Sequence, residues 1–456
     1  MSRNRIMKLL GLGIICVSVA LFAQQNLPLL PAPTEGHANF GSVVARPEGA
    51  MPKVPAGFTV DLYADNVANA RIMTFAPNGD LFVSQPTQNA VLILRDSNKD
   101  GKPDDRFVFA QGAVPAAGRG GAPGGGAAGR GGGAPGGGAG AGGGRGAGAP
   151  GGGAPGGGQG GRGPAPDPNI AETTQPFGLA FQNGYLYVGN TNSIARYKYT
   201  PGDTRASGPA EKLRDLNGGG NHSTRNILFS RDGKKMYVSV GSSNNIDEAG
   251  TGNERRAMIQ EYNPDGTGFR IFASGLRNPV GLALQPGTNT IWTAVNERDN
   301  IGDDLPPEYT TSVRDGGFYG WPYSYIGSHV DVRVPQREPD LVKRAIVPDV
   351  LIPAHSAPLG IAFYTGMQFP QRYRNGLFVA LHGSWNRSTT NGAKVIFVPF
   401  TNGKPGPIED FLTGFVVDPG ANSKWGRPVG VTVTPDGALL VSDDGGNRIW
   451  RIRYAG

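Results

Sequence analysis

Apolar and polar residues alternate over short stretches of the chain, and each of these stretches follows a tight-turn signal. The signals are Asn-Gly, Asp-Gly or Pro-Gly pairs, and the runs after them lie at 81–83, 185–188, 236–238, 291–292, 377–379 and 439–441. Other short apolar runs precede the turns, at 72–75, 178–181, 226–229, 281–284, 360–363 and 430–433. Because Asn-Gly and Asp-Gly pairs supply the positive φ angles that hairpin turns require, each copy predicts a β-hairpin.

The hairpins recur at a spacing that indicates a repeat architecture. Most turn glycines are about 50 to 60 residues apart once a glycine-rich insertion is set aside, although the interval from Gly287 to Gly376 is longer. No strong amphipathic helix interrupts the series. The pattern predicts an all-β fold, a six-bladed β-propeller that spans residues 55–456. A β-sandwich is the alternative, but its turns would be more closely spaced.

The glycine-rich insertion occupies residues 118–163 and has no large apolar side chain. Such a segment cannot bury enough surface to offset the entropy lost on ordering, so the sequence predicts a disordered insertion within the first repeat.

The first 23 residues have the composition of an export signal. Arg3, Arg5 and Lys8 precede an apolar run at 9–22, with Ala20 and Ala23 as small residues near a cleavage site. This run is shorter than the ~20 residues that a membrane-spanning helix needs, which favours a cleaved signal peptide over an anchor. The prediction is a periplasmic or secreted protein without stable membrane insertion, and with an N-terminal extension at 24–54. The single cysteine lies in the predicted signal, so the mature chain would contain no thiol or disulfide.

The formal net charge of +7 does not indicate nucleic-acid binding. Three of the positive charges belong to the predicted signal, and four arginines lie in the insertion. The remainder is close to neutral, so the sequence predicts no basic surface for DNA or RNA.

Polar residues stand immediately before the innermost strand of every predicted blade. Since these strands line the central channel of a propeller, the residues before them should converge on one mouth. They are Arg71, Gln175, His222 with Arg225, Arg277 with Asn278, His355 with Ser356, and Arg427. The set predicts a cation-rich site for an anionic ligand.

His222 is the first candidate for proton transfer at this mouth. It follows three glycines at 218–220, which would let the backbone approach a ligand closely. An imidazole titrates near neutrality and can accept a proton from an alcohol. His355 and His382 are the alternative candidates.

Several motifs in these segments resemble those of the soluble glucose/sorbosone dehydrogenase family, which are six-bladed propellers that use pyrroloquinoline quinone (PQQ) and calcium. The motifs lie at 175–181, 221–225, 276–282, 316–322 and 427–437. The most specific are Arg-Asn-Pro-x-Gly-Leu at 277–282 and Gly-Gly-x-Tyr-Gly-Trp-Pro at 316–322.

The resemblance implies a role for each matching residue. His222 would be the general base and Arg277 the catalytic cation. The backbone carbonyls of Glu297 and Arg298 would bind the calcium of PQQ. The cofactor would be surrounded by Gln175, Arg225, Arg277, Asn278, Asn296, Asp303, Asp304, His382 and Arg427. Three positions depart from the family: Asn221 stands where the base has an acidic neighbour, His382 where a lysine is expected, and Val429 where a second arginine is expected.

A second, separate calcium signal lies at 96–104. Asp96, Asn98, Asp100 and Asp104 place oxygen ligands at positions 1, 3, 5 and 9, and Gly101 stands at position 6. This spacing is typical of a calcium loop, although Phe107 replaces the glutamate expected at position 12. A solvated acidic hairpin is the alternative.

These observations predict a quinoprotein sugar dehydrogenase of the aldose or sorbosone type. It would oxidise a sugar or a sugar-derived alcohol or aldehyde with PQQ and calcium, and would pass electrons to an external quinone or cytochrome. One alternative is a calcium-dependent lactonase, which would use metal-bound water. The other is a non-catalytic propeller that binds a glycan or a protein. The cation-rich mouth favours a tricarboxylate cofactor over a lactone.

Overall fold

The computed structural model describes residues 27–112, 173–247, 255–335 and 337–456. Within these residues the chain is almost entirely β-structure, so the predicted all-β class is confirmed. The helical elements of the described part are one short α-helix, Pro339–Val342, and two 3₁₀ turns, Pro86–Gln88 and Gln371–Tyr373. The predicted insertion at 118–163 and the predicted signal at 1–23 lie outside the described residues.

Six antiparallel sheets contain most of the strands. Sheet 1 consists of Met73–Phe75, Leu81–Gln85, Ala90–Arg95 and Asp105–Gln111. Sheet 2 consists of Pro176–Gln182, Tyr185–Asn190, Ser193–Lys198 and Glu211–Asp215. Sheet 3 consists of Ile227–Phe229, Met236–Val240, Met258–Tyr262 and Arg270–Ser274, with Gly317–Phe318 added in parallel.

Sheet 4 consists of Asn278–Leu284, Ile291–Asn296, Glu308–Val313 and Val350–Ile352. Sheet 5 consists of Pro358–Phe363, Leu377–Leu381, Lys394–Val398 and Glu409–Leu412. Sheet 6 combines Pro428–Val433, Leu439–Asp443 and Arg448–Tyr454 with Phe58–Ala64, so it joins the two ends of the described chain.

Three small sheets complete the described strands. The first consists of Ser42–Val43, Val416–Asp418 and Ser423–Lys424. The other two pair Ser324–Tyr325 with His329–Val330, and Phe400–Thr401 with Lys404–Pro405. Through Ser42–Val43, the predicted N-terminal extension is attached to the rest of the molecule.

The first strand of each of the six sheets contacts the first strand of the next sheet, and the strand of sheet 6 contacts that of sheet 1. Glycines make this approach close enough. A Cβ atom at Gly281 would lie 2.4 Å from the carbonyl oxygen of Leu359, and one at Gly360 would lie 2.5 Å from that of Val429. Residues that precede these strands are therefore brought to a common centre.

The hydrophobic core lies between neighbouring sheets. Sheets 1 and 2 share a cluster that includes Phe82 and Leu186, and sheets 5 and 6 share a larger aromatic cluster around Phe378 and Trp450. Both faces of these strands are covered, which explains the nearly continuous burial of runs such as Leu377–Leu381. No helix in the described ranges is both long and apolar enough to cross a bilayer.

Candidate functional site

A cavity of about 280 Å³ lies where the leading ends of the six first strands meet. Each sheet contributes at least one lining residue from the positions predicted by the repeat: Arg71, Gln175, His222, Arg277 with Asn278, His355, and Arg427. Asn296, Glu297 and His382 also line the cavity. The predicted convergence of polar residues on one site is thus present in the structure.

The ring of His222 is held in one orientation by Ser242. Nδ1 of His222 lies 2.8 Å from the carbonyl oxygen of Ser242 and 3.0 Å from its hydroxyl. Because a carbonyl oxygen can only accept, Nδ1 carries the hydrogen and Nε2 keeps its lone pair. Burial, reinforced by Arg277, lowers the pKa of His222 to about 3. The imidazole is therefore neutral at ordinary pH and can accept a proton at Nε2.

Arg277 is fixed by five neighbouring acceptors, one of which is the carbonyl oxygen of Asn296 at 3.3 Å from Nη1. Its guanidinium donates to the carbonyl oxygen of Asn245 at 3.1 Å, the side chain of Asn245 at 2.8 Å, the carbonyl oxygen of Glu297 at 2.5 Å and the carboxylate of Asp299 at 3.0 Å. The residue is only 4 % exposed. This arrangement holds a positive charge rigidly beside His222, and it engages the Glu297 carbonyl that the resemblance assigns to calcium.

A second cluster of charges lies around Asp444. Its carboxylate accepts from Nη1 of Arg71 at 2.6 Å and from Nε2 of His382 at 2.8 Å. Burial and the positive charge of Arg427 lower the pKa of His382 to about 4, so its ring is neutral and Nε2 donates. Burial alone would raise the pKa of Asp444, but His382 and Arg71 hold it below its usual range.

Arg427 is incompletely paired. Its Nε donates weakly to the carbonyl oxygen of His382 at 3.3 Å, while its two terminal nitrogens have no partner among the described residues. These nitrogens belong to a side chain that lines the cavity. A carboxylate on a bound ligand would satisfy them.

Two buried oxygens contributed by sheet 4 also lack partners among the described residues. Neither Oδ1 of Asn278 nor Oε2 of Glu308 accepts a hydrogen bond from any described residue. Asn278 pairs with Asn296 across sheet 4, and Val295 pairs with Tyr309, so Asn278, Asn296 and Glu308 stand at adjacent strand ends. Burial raises the pKa of Glu308 well above its usual range. Hard oxygen donors of this kind fit a cation such as calcium.

Four residues predicted near the cofactor or its calcium do not line the cavity. Arg225 is buried and donates to the backbone carbonyls of His222, Thr224 and Asn217, so it supports the glycine-rich segment from behind. The side chain of Arg298 pairs with Glu297 and Asp331, and the role of its backbone carbonyl toward calcium stays a prediction. Asp303 contacts His37 and Ser388, and Asp304 is an exposed partner of Arg387.

Sequence reasoning did not select Ser242, Asp299, Glu308 and Asp444 as site residues. Asp299 directly follows the predicted calcium carbonyls, and Asp444 directly follows a buried strand, so their positions in the sequence weakly indicated that they belong to the site. No feature of the sequence indicated Ser242 and Glu308, because each is placed by contacts with segments distant in sequence.

The loop at 96–104 is organised by its own hydrogen bonds. Asp104 accepts from the backbone nitrogens of Ser97 and Asn98, at 2.8 and 3.1 Å, and Asp96 accepts from those of Asp100 and Gly101, at 3.1 and 2.8 Å. The loop connects two antiparallel strands of sheet 1, as expected for the alternative interpretation, an acidic hairpin. In the described part of the chain, no three His, Cys, Asp or Glu side chains are grouped to hold a metal. Calcium at this loop stays a prediction.

Comparison with known proteins gives one family and several relatives. A family model described as TrAA12-like matches residues 167–313 and 340–455. An uncharacterized protein of Borreliella burgdorferi is 32% identical over 300 residues, which cover 62% of this chain and 77% of that protein. A pyrroloquinoline quinone-dependent pyranose dehydrogenase of Coprinopsis cinerea is 26% identical over 337 residues, covering 59% of this chain and 45% of the relative. The match thus spans less than half the length of that curated dehydrogenase.

A solved structure gives the same result at the level of the fold. The holo form of the PQQ domain of pyranose dehydrogenase from Coprinopsis cinerea superimposes with a TM-score of 0.64 at 21% identity. The superposition covers 91% of this chain and 100% of that one. The predicted resemblance to PQQ-dependent sugar dehydrogenases is confirmed by these matches.

Proposed function

The chain belongs to the TrAA12-like family, and we propose that it is a quinoprotein that oxidises a sugar or a sugar-derived alcohol or aldehyde. It would use PQQ and calcium and would pass electrons to an external acceptor. One observation carries the proposal: a neutral histidine, an unpaired arginine and unpaired buried oxygens face the same cavity. A proton acceptor, an anion site and a cation site are what such a reaction requires.

We also propose that the six sheets are the blades of a six-bladed propeller. The contacts of the six first strands, each with the next, support this, as does the pairing of Phe58–Ala64 with Arg448–Tyr454. Export to the periplasm or the medium is part of the same proposal, and it rests on the composition of residues 1–23.

The residues present fit the cofactor. Arg71, Arg427 and Gln175 would bind the carboxylates of PQQ, since the terminal nitrogens of Arg427 have no acceptor among the described residues. Oδ1 of Asn278 and Oε2 of Glu308, which accept no hydrogen bond from the described residues, would offer oxygens to calcium. The carbonyl oxygen of Glu297 already accepts from Arg277. Bound PQQ would supply the two-electron acceptor for the hydrogen that leaves the substrate carbon.

The protein's own groups would handle the proton and the charge. Nε2 of His222 accepts the hydroxyl proton of the substrate, and the Ser242 carbonyl stabilises the resulting imidazolium through Nδ1. Arg277, held by Asn245 and Asp299, provides fixed positive charge where negative charge develops. Because these contacts exist before the substrate binds, little reorganisation is needed during the reaction.

Reconstitution tests the proposal. We expect the purified protein to bind PQQ in the presence of calcium and to reduce a redox dye with at least one member of an aldose panel. Chelation of calcium should abolish the activity, and His222→Asn is the matched control that keeps the fold. Lactone hydrolysis without dye reduction would instead identify the lactonase alternative. PQQ-independent glycan or protein binding without turnover would identify a binding module.

A further inference from the structure

Lys424 is a buried lysine without a counter-charge. It ends the short strand Ser423–Lys424, and it is 2 % exposed. Among the described residues its ammonium forms no ion pair and donates no hydrogen bond. Since an unpaired buried charge is costly, an ammonium in this position needs an explanation.

The short strand that ends at Lys424 pairs with a strand of the N-terminal extension. Val43 pairs with Lys424 across the parallel ladder, and the backbone nitrogen of Val44 donates to the Lys424 carbonyl oxygen at 2.9 Å. Val416 pairs with it from the other neighbouring strand. These three valines offer neither charge nor an acceptor side chain.

The inner side of Lys424 lies against the wall of the cavity. Gly383 lines that cavity, and a Cβ atom at Gly383 would lie 3.2 Å from Nζ of Lys424. Gly383 also has a φ of +101°, a conformation that disfavours other residues. The wall therefore has no side chain at the point where the ammonium approaches.

Arg427 makes this corner more positive. Burial and then the charge of Arg427 lower the pKa of Lys424 to about 8, so the lysine is still mainly charged at neutral pH. Arg71 differs, because its charge is paired with Asp444 at 2.6 Å. Two cations, Lys424 and Arg427, thus lie near one part of the cavity without a carboxylate partner among the described residues.

We propose that Lys424 is a cofactor-binding residue, which together with Arg427 attracts a carboxylate of the anionic cofactor across the opening left by Gly383. This inference rests on the proposed function, since PQQ is the tricarboxylate concerned. It adds a binding residue that no motif in the sequence indicated. It also gives the N-terminal extension a role, because Ser42–Val43 pairs with the strand that carries the lysine.

The substitution Lys424→Met separates binding from structure. Methionine keeps the length of the side chain and removes the charge. We expect the melting temperature of the apoprotein to stay constant or rise, because an unpaired buried charge is lost. We expect the Kd for PQQ, measured by titration calorimetry with calcium present, to increase about 10- to 100-fold, as on loss of one hydrogen bond to a charged group.

Two variants serve as controls. Lys424→Arg keeps the charge and should bind PQQ within a few-fold of the unmodified protein. Lys394→Met removes a lysine of sheet 5 that pairs with Asp410 at 2.6 Å. This second control should leave the Kd for PQQ unchanged.

The pH dependence of binding provides a measurement that does not depend on the methionine variant. The other charged or titratable groups around Lys424 are Arg427, His382 and the exposed Asp418, and Ser42–Val43 contributes none. Asp443 and Asp444 act on Arg427, but burial raises the pKa of Asp443 only to about 6 and the pKa of Asp444 is lowered, so neither gains a proton between pH 7 and pH 9. His382 has lost its proton well below pH 7. Because Lys424 loses its proton as the pH rises past about 8, the Kd for PQQ should increase from pH 7 to pH 9. The increase should disappear in Lys424→Arg.

The outcomes distinguish this inference from the proposed function. An unmodified protein that does not bind PQQ overturns both. If the unmodified protein binds PQQ and Lys424→Met binds it equally well, the inference is wrong and the proposed function stands. The same conclusion follows if the Kd is constant between pH 7 and pH 9.

Discussion

Replacement of His222 by asparagine tests the proton acceptor without removing the hydrogen bond that orients it. In the native site, Nδ1 of His222 donates to the carbonyl oxygen of Ser242 at 2.8 Å. The amide nitrogen of asparagine lies close to the position of Nδ1 and can make the same bond. Only the Nε2 lone pair is lost, so any change in turnover reports proton transfer.

The expected loss is large. A positioned general base contributes about 10²- to 10⁴-fold to a reaction rate, which corresponds to roughly 3 to 5 kcal/mol of activation free energy. Cofactor affinity should change little, because Arg427 and Arg71 supply the positive charge for the carboxylates. We therefore expect His222→Asn to bind PQQ normally and to turn over about 10²- to 10⁴-fold more slowly.

The pKa of His222 adds a second expectation. Burial and Arg277 lower it to about 3, so the ring is unprotonated at every pH above that value. Acidification from pH 8 to pH 5 should not reduce kcat/KM through protonation of this residue. A steep loss of activity centred near pH 6.5 that is absent from His222→Asn would show that the ring titrates normally, contrary to this argument.

The assay is single-turnover reduction of the reconstituted enzyme, followed by absorbance with a confirmed sugar substrate. Ser242→Ala is the matched control. It removes the hydroxyl that lies 3.0 Å from Nδ1 but leaves the carbonyl acceptor in place, so its rate should stay within a few-fold of the native rate. A His222→Asn rate close to native would refute the mechanism, and His355 or His382 would then be tested.

Two further predictions concern stability and calcium. Arg298→Met should destabilise the protein by about 3 to 5 kcal/mol in urea unfolding, because it leaves the buried carboxylates of Glu297 and Asp331 without this partner. A change below about 1 kcal/mol would mean that Arg333 already neutralises the cluster. If the 96–104 loop binds calcium, Asp100→Ala should remove one calcium by elemental analysis and lower the melting temperature, with turnover at saturating PQQ unchanged. An unchanged calcium content would reject that site.

Local sequence was sufficient for the parts of this molecule that depend on neighbouring residues. A hairpin is specified by a turn and the alternating residues on either side of it, so the strands after Gly79, Gly184 and Gly437 were predicted near their observed positions. The repeat also predicted which residues precede the first strands. Because those strands contact each other in turn, Arg71, His222 and the other predicted positions do meet at one cavity.

Outside the repeat, local sequence did not indicate which residues a given side chain contacts. The adjacent side chains of Glu297 and Arg298 pair with each other in one buried cluster. Arg298 also pairs with Asp331, which lies 33 residues further along the chain, so this cluster depends on a contact that local sequence does not specify. Asp303 and Asp304 were predicted near the cofactor but lie outside the lining, where Asp303 contacts His37 and Asp304 pairs with Arg387.

The partners that make the site chemically competent were decided only by the tertiary structure. Ser242 orients a histidine 20 residues away, and Asp444 binds an arginine 373 residues away. Lys424 lies on a strand that pairs with the N-terminal extension, and its ammonium approaches the cavity wall at a glycine. The residues in such contacts are separated by distances in sequence that follow no repeat, so the sequence pattern cannot predict them. Local sequence therefore determined the sheets and the residues of the cavity wall. The packing of distant loops determined which charged residues of that wall are paired.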